Sequence, residues 1–136
     1  MTQMLMIEDN PDDIELTRRV LEKLGVTEQV RVARDGAEAL EYLFGRNATG
    51  NEEALSSLRL ILLDLNLPKV PGLRVLYQIK THEATRHIPV VVLTVSRKEP
   101  DLIQSFMMGI SDYLIKPPNA DRLAEIYRKY VGAAVA

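Results

Sequence analysis

Cysteine is absent from the 136 residues, which excludes a disulfide framework, a thiolate metal site and a cysteine nucleophile. An intracellular compartment is the simplest fit to that absence. An excess of charge of either sign is lacking too. Seventeen basic residues stand against 19 acidic ones, and the formal charge of -2 offers no global attraction for nucleic acid. No apolar run approaches the roughly 20 residues that span a bilayer, and the N-terminus lacks a basic segment followed by a signal-type apolar core. A cytoplasmic protein is therefore expected, with no membrane insertion and no direct nucleic-acid binding. Internal repeats, low-complexity tracts and interdomain linkers are also missing. The length suits a single domain, residues 1–136, with a sizeable core.

What is present is a set of short apolar runs that end in polar residues. Leu60, Ile61, Leu62 and Leu63 lead straight into Asp64, as in a strand buried on both faces that delivers a carboxylate to the rim of a parallel sheet. Met4 to Ile7 ends at Glu8 and Asp9, Val90 to Leu93 ends at Thr94, and Tyr113 to Ile115 ends at Lys116. Val30 to Ala33 alternates like a strand with one more solvated face, as at a sheet edge. Between the strands lie helical patterns. Asn10 and Pro11 supply an N-cap and a first helical residue, with Asp12 and Asp13 where the helix dipole favours negative charge. Further helices are expected around Leu40 and Leu43, around Val75 and Leu76, from Pro100 to a stop at Gly109, and through Leu123 and Tyr127. The segment 45–57, rich in Gly, Asn, Ser, Thr and Glu, reads as a mobile surface loop. Five alternating strands and helices predict a doubly wound, five-stranded parallel sheet flanked by helices.

In such sheets chemistry gathers beyond the carboxyl ends of the strands. Glu8, Asp9, Asp64, Thr94 and Lys116 would converge there, and crowded carboxylates need a cation or a raised pKa. Magnesium suits them, since it prefers oxygen ligands and commonly takes one or two carboxylates plus phosphate oxygens. Histidine and cysteine are missing from the set, which argues against zinc or copper. Asp9 and Asp64 are the expected direct ligands, with Glu8 acting through water and the backbone carbonyl of Asn66 completing the protein's share. A carboxylate beside a divalent ion, a hydroxyl and a lysine is suited to accepting a phosphoryl group, which demands in-line positioning and neutralised equatorial oxygens. Asp64 would be the nucleophile, assisted by Thr94 and Lys116. Singly, each residue has a bland alternative: the aspartates and Thr94 as helix caps, Lys116 as a solvated charge. Jointly the bland reading needs four strand ends to carry the right chemistry by accident.

Glu8-Asp9, Asp64 with Pro68 and Gly72 downstream, Thr94 and Lys116-Pro117 together resemble the motif set of bacterial response-regulator receiver domains over essentially the whole chain. The resemblance implies a flavodoxin-like sheet of order 2-1-3-4-5, magnesium dependence, and phosphoryl transfer from the histidine of a sensor kinase to Asp64. It also implies that Thr94 and Tyr113 form a switch pair, the hydroxyl moving to the phosphoryl group as the ring turns inward, and that Lys116-Pro117 is a candidate cis bond. Glu8 departs from the commonest pattern, where an Asp stands, and so does Leu67, where many receivers carry Met. The run from Glu8 to Asp13, the long segment before the third strand, and Leu63 to Lys69 look like the stand-alone regulators paired with bacterial phytochrome kinases. No output domain is expected after Val131.

Driving such a switch nearly to completion takes about 5.5 kcal/mol of differential stabilisation, within reach of a few charge-assisted hydrogen bonds at roughly 1.5–3 kcal/mol each. Residues 100–130, from the fourth expected helix to the fifth, are then the expected dimer or partner face. On that helix Phe106 is expected in the core, while one of Met107 and Met108 must point away. Tyr127 and Tyr130 lie three apart on the last helix, which buries one of them. His82 and His87 are expected at the surface. Three rivals compete. A phosphatase of the haloacid dehalogenase type shares the residue kinds but wants an Asp-x-Asp motif, whereas here Asp64-Leu65-Asn66 lacks the second acid. A scaffold that has lost phosphorylation is the second. A flavodoxin-like cofactor carrier would want a Gly/Ser/Thr-rich phosphate loop where Glu8 and Asp9 stand.

Overall fold

The structure, a computed structural model, describes residues 2–25, 30–45 and 52–132. Its elements run β1 (Met4–Ile7), α1 (Pro11–Lys23), β2 (Val30–Ala33), α2 (Gly36–Phe44), α3 (Glu52–Ser57), β3 (Leu60–Asp64), α4 (Gly72–Thr81), β4 (Val90–Thr94), α5 (Pro100–Met107), β5 (Asp112–Ile115) and α6 (Ala120–Tyr130). The strands form one sheet in the order β2-β1-β3-β4-β5, and every pairing is parallel.

Alternate strand residues face opposite sides, yet β1, β3 and β4 are buried along their whole length because helices cover both faces. One core joins Leu5, Ile7, Leu63 and Val92 to Leu43, Val75 and Ile79 of α2 and α4. The other joins Met6, Leu62 and Leu93 to Ile14 and Leu21 of α1 and to Leu123, Ile126 and Tyr127 of α6. Edge strand β2 alternates between exposed and covered residues, as its sequence suggested. Asn10 caps α1 by accepting from the Asp12 and Asp13 amides at 2.8 and 3.2 Å.

Two expectations are corrected. The supposed loop at 45–57 contains α3, where Leu55 is buried against the α2 side of the sheet. A helix of six residues has little intrinsic stability, so the burial of Leu55 accounts for it better than propensity does. Residues 46–51 lie outside the described residues. Phe106 is not in the core but 50% exposed, because α5 turns Leu102 and Ser105 inward and Phe106 follows Ser105 around the helix. Met107 points away, as one of the two methionines had to, and Met108 packs on the core. Tyr127 is the buried tyrosine of its pair, and Tyr130 is half-buried. His87 is exposed, whereas His82 is half-buried with its ring 4.5 Å from that of Phe44.

Gly72 decides how closely the loop after Asp64 folds back on the sheet. A Cβ there would lie 2.4 Å from Leu65 Cα and 2.7 Å from the Asp64 carbonyl oxygen, both backbone atoms that cannot rotate aside. Gly72→Ala is therefore expected to destabilise the protein by about 2–3 kcal/mol through overpacking, read as a lowered urea midpoint. An unchanged midpoint would show that the loop can move outward freely.

Candidate functional site

The parallel register assembles the site. Ile7 pairs with Leu63, so Glu8 and Asp64 emerge side by side, while Asp64 pairs with Leu93 and Thr94 with Ile115. Lys116 follows Ile115, and its amide donates to the Thr94 carbonyl at 2.8 Å. The Lys116–Pro117 peptide bond is cis. Lys116 Nζ lies 2.8 Å from Asp64 Oδ2, 2.9 Å from Glu8 Oε1 and 3.2 Å from Asp13 Oδ2. The other oxygen of Asp64 accepts from the Asn66 amide at 2.9 Å. Glu8 Oε2 accepts from the Asn10 amide at 3.2 Å.

One carboxylate oxygen from each of Glu8, Asp9 and Asp64 lies within 4.8 Å of the other two, an arrangement that can hold a metal ion. The donor set is entirely oxygen, and the buried Glu8 Oε1 faces the Lys116 ammonium at 2.9 Å. One ammonium faces three carboxylates here, so an added cation at the cluster would relieve the repulsion that remains.

Electrostatics follow from burial. Burial of the Glu8 carboxyl, reinforced by a hydrogen bond with Asp64, raises its pKa from 4.5 to about 7, with the Lys116 ammonium pulling partly the other way. Burial alone would lower the pKa of Lys116, but its hydrogen bonds and charge interactions with Asp64 and Glu8 outweigh that and hold it above the ordinary lysine value. The Lys116 ammonium and the raised pKa of Glu8 both relieve the repulsion among these carboxylates.

Glu8, Asp9, Asp64 and Lys116 are brought together as the sequence suggested. The Thr94 hydroxyl is turned elsewhere: it donates to the Glu99 carboxylate and lies 3.2 Å from the Ser96 carbonyl. Tyr113 is half-buried, with the edge of the Phe106 ring 82° to its own at 5.8 Å. Sequence reasoning missed Asp13 and Glu99 as partners of the site. Asp13 could have been found, because helical side chains lean toward the N-terminus and a residue in the first turn of α1 leans back over the strand ends. Nothing in sequence spacing pairs Glu99 with Thr94.

A five-stranded parallel sheet of this order, with acids and a lysine gathered at its carboxyl rim, defines a receiver-type signalling domain. The profile of the family described as "Response regulator receiver domain" matches residues 4–128, and the chain belongs to that family. It is 46% identical over 114 residues to the probable methanogenesis regulatory protein FilR2 of Methanothrix harundinacea, covering 84% of this chain and 71% of that protein. Response regulator Rcp1 of Synechocystis sp. is 39% identical over 116 residues, covering 85% of this chain and 77% of Rcp1. The solved structure of the Mn(2+)-bound form of Rcp1 superposes with a TM-score of 0.75, covering 100% of this chain and 98% of that one at 34% identity. The bacteriophytochrome response regulator AtBRR superposes with a TM-score of 0.77 at 41% identity, covering 100% of this chain and 96% of that one. No helix among the described residues is long and apolar enough to cross a membrane.

Proposed function

We propose that this response regulator accepts a phosphoryl group on Asp64, with magnesium, from the phosphohistidine of a sensor kinase. The observation that carries the reading is the Asp64 carboxylate held 2.8 Å from Lys116 Nζ inside the cluster it shares with Glu8 and Asp9. Asp9, Asp64 and the Asn66 carbonyl would hold magnesium directly and Glu8 through water. When bound, the ion supplies charge neutralisation for the phosphoryl oxygens. An Asp64 oxygen attacks phosphorus, the P–N bond breaks, and its electron pair stays on the donor's ring nitrogen. Lys116 follows the charge from the carboxylate to a phosphoryl oxygen. Thr94 offers its hydroxyl to another, and Tyr113 completes the switch. Water later attacks the acyl phosphate at the same site, so the chain catalyses its own dephosphorylation.

The Mn(2+)-bound form of Rcp1 supports a divalent ion as the cofactor. The likeness to AtBRR supports a bacterial phytochrome as the kinase. Ile103, Phe106 and Met107, exposed by 59, 50 and 87%, give the α5-β5-α6 face the apolar character of a homodimer or partner surface. Residues 1–136 are read as one receiver domain.

Incubation with magnesium and phosphoramidate should add one phosphoryl group to the intact mass, absent from Asp64→Asn and from a magnesium-free control. No adduct on folded protein with magnesium would move the reading to a scaffold that has lost phosphorylation. Purified kinases compared in the same assay test the partner: strong preference for a non-phytochrome kinase removes the phytochrome from the proposal. Sedimentation of the phosphorylated sample tests the dimer, and an unchanged monomer removes it.

A further inference from the structure

A hydroxyl carries one proton, and in this structure the proton of Thr94 is already engaged. Thr94 ends β4 almost fully buried, and its Oγ1 donates to Glu99 Oε2 while receiving the Ser96 amide at 3.4 Å. Glu99 occupies the N-cap position of α5, yet its side chain makes no capping hydrogen bond to that helix. Pro100 follows at the first helical position, and Glu99 has the extended backbone (φ -65°, ψ 126°) that a residue before proline prefers. The Glu99 amide is tied to the Ser96 carbonyl at 3.3 Å. Seven residues on, the same helix sets the Phe106 ring edge-on against Tyr113. One helix therefore holds both residues of the switch pair, Thr94 through a carboxylate at its start and Tyr113 through an aromatic edge near its end.

We propose that Glu99 is a positioning residue: its carboxylate competes with the phosphoryl oxygens for the Thr94 hydroxyl and sets how readily α5 responds to phosphorylation. The proposal rests on the reading of Asp64 as the phosphoryl acceptor. When the hydroxyl leaves for a phosphoryl oxygen, the Glu99 bond breaks, and the start of α5 loses its tie to β4. A charged acceptor forms roughly twice as strong a hydrogen bond as a neutral one. Weakening or removing that acceptor should therefore favour the phosphorylated arrangement in graded steps.

The test is a titration of the full chain, in saturating magnesium, with beryllium fluoride as a phosphoryl mimic, bound fluoride being read by fluorine NMR. Glu99→Ala should lower the half-saturating concentration about tenfold, equivalent to ~1.4 kcal/mol. The isosteric Glu99→Gln, which retains a neutral acceptor, should lower it about threefold, near the square root of that factor. In a Thr94→Val background, where there is no hydroxyl to compete for, Glu99→Ala should leave the midpoint where Thr94→Val alone puts it. Glu99 variants that match the wild-type midpoint overturn the proposal. So does an equal shift in the Thr94→Val background, since that would mark Glu99 as merely structural. Absence of any bound fluoride in the wild type overturns the acceptor reading of Asp64, and this proposal with it.

Discussion

Replacing Lys116 by methionine is expected to destabilise the metal-free protein by about 2–4 kcal/mol at pH 8. Breaking a buried ion pair from one side typically costs about 3–5 kcal/mol, because the remaining charge is left uncompensated. Here the ammonium stands within 3.2 Å of three carboxylates, those of Glu8, Asp13 and Asp64, and its side chain is only 14% exposed. The expected figure is set lower because the Asp13 side is more open to water. Since the partners raise the Lys116 pKa, the stabilisation is present throughout the neutral range and fades only in strong alkali. The loss should shrink toward pH 5.5, where Glu8 takes up a proton and one of the repelling charges disappears. Magnesium should restore much of the stability at pH 8 by standing in for the missing cation. Urea unfolding at both pH values, with and without the ion, checks all three statements. Equal stability of the two proteins at pH 8 would mean that the carboxylates do not depend on Lys116.

Magnesium affinity should rise steeply with pH until about 7 and then level off. Glu8 has its carboxyl pKa raised to about 7 by burial and by Asp64, so below that value a proton occupies a group the ion needs ionised. If one proton is displaced per ion, the apparent dissociation constant falls up to tenfold per pH unit below 7. The sign for the metal-free fold is opposite. Between the ordinary 4.5 and about 7 the folded chain holds a proton that the unfolded chain has released, so this contribution is fully present below 4.5 and lost as pH rises through 7. Calorimetric titrations between pH 5.5 and 8 in buffers of different ionisation enthalpy count the protons directly. Glu8→Gln should flatten the dependence. Binding of the wild type that does not change with pH would remove Glu8 from the ion's surroundings.

These effects could be anticipated because the chain's main strands are nearly continuous apolar runs that stop abruptly at charged residues. Parallel pairing then puts Glu8, Asp9, Asp64 and Lys116 on one rim, whatever the details of the helices. The Asn10 cap was equally legible, being a matter of residues two and three apart in sequence. Phe106 was not, because on a helix as short as α5 the apolar spacing suits either of two adjacent faces, and only the tertiary packing that buries Leu102 and Ser105 decides. The α3 segment was hidden by its polar composition, since what holds it is a tertiary contact of Leu55. Glu99 was hidden for a related reason: its bond to Thr94 depends on how the loop after β4 folds, which no periodicity records.

The most direct test of the central claim is to locate the modified residue. An acyl phosphate is reduced by borohydride to the alcohol with release of phosphate, which would turn Asp64 into homoserine within the tryptic peptide of residues 60–69. Protein treated with phosphoramidate and magnesium should carry homoserine at position 64, and protein treated without magnesium should not. Homoserine at Asp9 or Asp13, or none anywhere in folded protein with magnesium present, would contradict the assignment of Asp64 as the phosphoryl acceptor.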